Sequence, residues 1–154
     1  MPDPGLRQVP PLPRALGAAG LLPQGAAALL VALQQPLLAN VAVLVAAAYA
    51  ALILSFLGGL WWGLAAAAPQ PPRWLWIVAV LPSLWALASL VGGIALGWPP
   101  ATLVPLAVAI LLSLMIDRRL VERGIAPHWW MRLRFPLSAG LGLLTAIIAA
   151  LSWG

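Results

Sequence analysis

Residues 53 to 63 read ILSFLGGLWWG, and the reading of this stretch decides the fold. It is uncharged and apolar, and within it stand three glycines, one serine and two tryptophans. In water such a run is a buried core element or an aggregation hazard. In a bilayer it is the end of a helix, with indoles at the membrane boundary and small residues where a neighbour comes close. The surrounding chain selects the second reading. No charged residue lies between Arg14 and Arg73, and none between Arg73 and Asp117. Each interval exceeds the roughly 20 residues of one membrane crossing. Of the 154 residues, 64% are hydrophobic and 7% charged, whereas a soluble domain carries about 25% charged residues. The solvent for this chain is lipid.

Working outward, the stretch belongs to a long helix from about Leu37 to Ala67. The segment PQPPR at 69–73 ends it, because proline has no N–H for the helical ladder. Before it, residues 1–13 hold five prolines and read as a disordered tail. Residues 14–33 read as a first helix rather than a signal peptide, since Pro23 and Gln24 interrupt the apolar run. After it, a third helix is expected over 74–91, kinked at Pro82. GGIALGWPP at 92–100 reads as a loop or frayed end. A fourth helix is expected over 101–116, extending to 123, with Gly124 suited to its C-terminal cap. Residues 127–135 read as an interfacial turn that Pro136 kinks into a fifth helix over 137–153. The fold class is therefore all-α: one domain over 14–154, a bundle of five transmembrane helices.

Five crossings put the termini on opposite sides. All eight basic residues are arginines, and all fall on the side of the N-terminus: Arg7, Arg14, Arg73, Arg118, Arg119, Arg123, Arg132 and Arg134. By the positive-inside rule the N-terminus is cytoplasmic and the C-terminus periplasmic or outside, in a bacterial inner membrane. The same rim accounts for the net charge of +5, so nucleic acid is not the expected partner. Trp61, Trp62, Trp74, Trp76, Trp129 and Trp130 fall near the cytoplasmic boundary and Trp98 and Trp153 near the other. This is an aromatic belt, with only Trp85 inside the membrane.

Several chemistries are excluded or disfavoured. There is no cysteine and one histidine, so disulfides, thiolate metal sites and bis-histidine ligation cannot form. No cofactor or metal is expected. No carboxylate, lysine or histidine lies within a predicted span, which argues against a proton relay or ion pump. Among the polar groups, Tyr49, Ser55, Trp62 and Ser83 are placed to line a pocket between the second and third helices. Gly58, Gly59 and Gly63, with Ser55, are candidates for close helix packing, and a large side chain at Gly59 should loosen the bundle. Asp117, Glu122 and His128 share the arginine rim, where the two acids are placed to pair with arginines. Arg132 and Arg134 beside Trp129 are candidates for an anionic headgroup or a partner's acidic loop.

Three strings carry a family resemblance: AYAALILSFLGGLWWG at 48–63, LPSL at 81–84 and PHWWMRLRFPLS at 127–138. Through Tyr49, Ser55, Phe56, Leu57, Gly58, Trp62, Gly63, Pro82, Ser83, Leu84, Pro127, Trp129, Leu133 and Arg134 the chain resembles a bacterial and mitochondrial family of unknown function, DUF3429. That family includes transmembrane protein sixty-nine. The resemblance covers about residues 14 to 153. It departs from the family pattern at Trp61, where histidine or arginine is frequent, and at Trp130, where tyrosine is usual. The resemblance implies a small polytopic membrane protein and no particular activity. The expected role is a structural or accessory subunit of a larger inner-membrane assembly, contacting the lipid bilayer and another membrane protein or its own copies. The alternative is a lipid, quinone or small-molecule carrier using the pocket between helices two and three.

Overall fold

A computed structural model of the protein describes residues 8–34 and 36–153. Residues 1–7, and with them most of the expected tail and Arg7, lie outside the described residues. The chain forms α1 (Pro11–Ala19), α2 (Leu22–Ala32), α3 (Pro36–Ala67), α4 (Arg73–Ala95), a short 3-10 turn (Pro99–Thr102), α5 (Leu103–Glu122) and α6 (Trp130–Leu151). Taking α1 with α2, and the 3-10 turn with α5, five helical segments are long and apolar enough to cross a membrane. Large apolar side chains such as Leu37, Leu52, Ile77 and Ile94 stay exposed on the outside of the bundle, as expected where hydrocarbon is the solvent.

Local chemistry explains most boundaries. The first crossing starts at Pro11 rather than 14, because proline is tolerated in a first turn. It breaks into α1 and α2 because Pro23 cannot donate to the carbonyl four residues back. Tyr49 then fixes the break from α3, its hydroxyl donating to Gly20 O at 2.6 Å. The fourth crossing closes as the glycine signal suggests. Gly124 has φ of +68°, Ile125 N donates to Leu120 O at 2.9 Å and Gly124 N to Val121 O at 3.0 Å, which together form a Schellman cap. The same bonding at Gly97, with φ of +62°, ends α4. So α4 runs to Ala95, past the expected stop at 91. Helix six also differs from the expectation: residues 130–135 are its opening turns, and Pro136 sits inside one continuous helix. Its missing donor removes a single ladder bond near the helix start, too little to separate the two parts.

Successive helices pair, α3 with α4 and α5 with α6, while α2 lies against both α3 and α6. The contact residues recur every three or four positions. On α5 they are Leu103, Leu106, Ile110, Ser113, Asp117 and Leu120, all buried. On α6 the series runs Arg134, Ser138, Leu141, Thr145 and Ile148. This is the seam spacing of helices that cross at shallow angles. On α3 the seam is mostly alanine (Ala42, Ala46, Ala47, Ala50, Ala51), so backbones approach closely and dispersion holds them. A second core cluster, with Trp61, Ala65, Leu75, Ala79, Leu120 and Ala126, joins the ends of α3 and α5 to the start of α4 at the arginine-bearing end.

Candidate functional site

The polar residues of the seams converge at that end. Asp117 of α5 is fully buried. Its Oδ2 accepts a hydrogen bond from Arg134 Nε of α6 at 2.8 Å. Its Oδ1 accepts from two indoles, Trp61 Nε1 of α3 at 2.9 Å and Trp130 Nε1 of α6 at 3.0 Å. Arg134 Nη2 reaches Ser113 Oγ at 3.3 Å, one turn back along α5, and that hydroxyl donates to Ile110 O at 2.6 Å. Three helices thus meet on one carboxylate. An ion pair in so dry a place is favourable only when the remaining donors and acceptors are satisfied, and the two indoles do that for Oδ1. Each indole needs an acceptor once buried, so the need is mutual.

Both oxygens of the buried Asp117 carboxylate are engaged in hydrogen bonds. Among the described residues, no three His, Cys, Asp or Glu side chains lie close enough together to hold a metal ion. Glu122 pairs with Arg118 at 2.8 Å, but both are exposed and four residues apart on one helix, worth only a few tenths of a kcal/mol. Arg123 stacks over Trp74 at 5.3 Å. His128 is exposed.

Of the four residues expected to line one pocket, Ser55 and Trp62 are seven apart on one face of α3 and Tyr49 is on another. Tyr49 is bonded to Gly20. Trp62 is half exposed and packs edge-on against Trp76, with centroids 4.8 Å apart. Ser83 lies on the exposed side of α4, and Ser55 is half-buried on α3. A crevice of about 700 Å³ does lie among α3, α4 and α5, but it is lined by others, including Leu54, Trp61, Pro82, Trp85 and Ser113. The glycines also part company. A Cβ on Gly58 would overlap Ala79 O of α4, so this glycine permits the α3–α4 contact. Gly59 and Gly63 have no such neighbour within 4 Å and face an open groove of about 500 Å³ beside Phe56 and Trp130. Arg132 and Arg134 point to different surroundings: Arg132 is exposed, Arg134 is turned into the bundle, and Trp129 is half-buried against Trp130.

Trp61 and Asp117 lie at the arginine-bearing end and Asp117 pairs with an arginine as expected, but both are buried there rather than exposed at a rim, Trp61 3% exposed and Asp117 0%. The available signal was the three-and-four spacing that puts Asp117 in phase with Leu103, Leu106, Ile110 and Ser113. A second buried pair was also missed: Gln24 Nε2 of α2 donates to Thr145 Oγ1 of α6 at 2.8 Å. Two buried atoms among the described residues have no partner, Gln24 Oε1 and Ser138 Oγ, each an orphan costing about 1–3 kcal/mol.

A bundle of five apolar crossings, tied by one buried ion pair at its arginine-bearing end, defines a small multi-pass integral membrane protein. The chain belongs to the family described as protein of unknown function DUF3429, whose model matches residues 9–150. That bears out the resemblance carried by the three sequence strings. No curated protein and no solved structure matches the chain. Trp61 and Trp130 are the two donors on Asp117 Oδ1.

Proposed function

We propose that this protein is a non-catalytic accessory subunit of a larger assembly in a bacterial inner membrane, with its N-terminus in the cytoplasm. The observation that supports this reading is the Gly59–Gly63 face of α3. Each glycine in a helix sacrifices about 1 kcal/mol relative to alanine. Gly58 recovers that through its contact with α4, while Gly59 and Gly63, one turn apart, touch nothing in the bundle. Small residues four apart on a membrane helix are what a second helix packs against. The complete engagement of Asp117 favours a structural role for the one carboxylate of the buried network. The seven arginines among the described residues, at one end of the bundle, favour the orientation.

The test is gentle extraction of the tagged chain from its native membrane, followed by mass spectrometry of what accompanies it. A stoichiometric membrane-protein partner, lost in Gly59→Leu while the chain stays folded, is the expected result. A chain recovered alone, or as copies of itself only, contradicts the accessory reading.

A further inference from the structure

A cavity of about 510 Å³ opens between α1, α3 and α6 and adjoins the Gly59–Gly63 groove, with which it shares Phe56, Leu60 and Trp130. Its walls are almost wholly apolar, with Leu16 and Gly17 from α1, Phe56 and Leu57 from α3, and Leu137 from α6. Leu16 and Phe56 stand exposed at its opening, on the lipid side of the bundle. Two polar side chains are set into it, Arg134 and Ser138, respectively 7% and 2% exposed. The hydroxyls of Ser89, Ser113, Thr145 and Ser152 all bond to a carbonyl three or four residues earlier. Ser138 Oγ is buried without any partner. Arg134 uses Nε and Nη2 within the bundle, and no hydrogen bond among the described residues involves its Nη1.

Charge selects the occupant. The guanidinium is already matched by Asp117 at 2.8 Å, so an anion in the cavity would add an uncompensated buried charge. Depth points the same way. Ser138 lies eight residues into α6 from Trp130, about 12 Å along the axis, and a phosphate headgroup drawn that far into an apolar span would lose its water. A carbonyl oxygen, neutral and accepting, matches a hydroxyl donor and a spare guanidinium N–H in an apolar, lipid-open space. We propose that the α1–α3–α6 cavity binds an uncharged, carbonyl-bearing apolar molecule drawn from the bilayer, its carbonyl held by Ser138 Oγ and Arg134 Nη1. Quinones and acyl esters share this chemistry. The inference does not rest on the accessory role, since it needs no partner protein, although the cavity adjoins the Gly59–Gly63 groove.

Native mass spectrometry of the full chain in mild detergent tests it, with decylubiquinone, monoolein and decanoate as probes. The expected result is a one-to-one adduct with decylubiquinone, monoolein or both, and decanoate weaker by about tenfold or more. Adduct with the first alone assigns the quinone class, and with the second alone the acyl-ester class. Ser138→Ala removes the hydroxyl with little change of volume, and Leu16→Trp fills the mouth from an exposed position. Each should lower occupancy about tenfold or more, while Ser83→Val, on the outside of α4, leaves it unchanged. No adduct with either neutral probe, preference for decanoate, or occupancy indifferent to both cavity variants overturns the proposal.

Discussion

Arg134 Nε donates to Asp117 Oδ2 at 2.8 Å, and the two residues are respectively 7% and 0% exposed. The pair joins α5 to α6 near the end where the chain carries its arginines, and the indole of Trp61 brings α3 onto the same carboxylate. Neutral side-chain hydrogen bonds between membrane helices average only about 0.6 kcal/mol. A buried charge left without its counterpart costs about 3–5 kcal/mol. The magnitudes make this network, rather than the Gln24–Thr145 bond, the polar contact on which the bundle depends.

The indole donors should be separable from indole bulk. Trp130→Tyr keeps an O–H donor on α6 and should leave thermal stability in mild detergent within about 1 kcal/mol of the parent. Trp61→Phe keeps an aromatic plate but removes the N–H, leaving Oδ1 with one donor, and should cost about 1–3 kcal/mol. Equal effects of the two substitutions, followed by thermal unfolding, would show that the indoles act by packing alone.

Gly58 and Gly59 should behave oppositely although they are adjacent. Leucine at 58 drives into the α4 backbone at Ala79, and overpacking of this kind costs about 1–3 kcal/mol or more. A Cβ at 59 meets nothing within 4 Å and points into an open groove, so leucine there should leave the melting of the isolated chain unchanged. Thermal melts of the two variants side by side decide between them.

Tyr49→Phe removes the hydroxyl that satisfies Gly20 O at the α1–α2 break. The expected loss is about 1 kcal/mol, with faster hydrogen exchange around residues 18–22 than in the parent and no change on α5.

The proposed orientation rests on charge alone. A periplasmically active reporter should work when fused after Gly154 and fail when fused at the N-terminus. The reverse pattern would remove the positive-inside argument.

The five crossings were legible because a bilayer imposes length and apolarity on each one, and prolines and glycines mark the gaps. The Gly124 cap was legible for the same reason: φ of +68° is a local demand that glycine meets. Which face of each helix turns inward was not legible from hydropathy, because lipid and core are equally apolar and Leu52 outside looks like Leu54 inside. The inward face is written instead in small and polar residues at seam spacing. Asp117 carries that signal, but it stands directly before Arg118 and Arg119, and the charge run masks its phase. Tyr49 does not join Ser55 and Trp62 because it lies on another face of α3, bonded to Gly20, whereas those two are seven apart on one face.

The most direct test of the account is a double-mutant cycle on Asp117 and Arg134, read by thermal unfolding in mild detergent. Asp117→Leu and Arg134→Met should each cost about 3–5 kcal/mol, because each strands a buried partner. The double variant should cost less than either single one, since no unpaired charge remains. A double variant that loses the full sum of the two, or single variants that each cost under about 1 kcal/mol, would mean that the pair does not hold the bundle together.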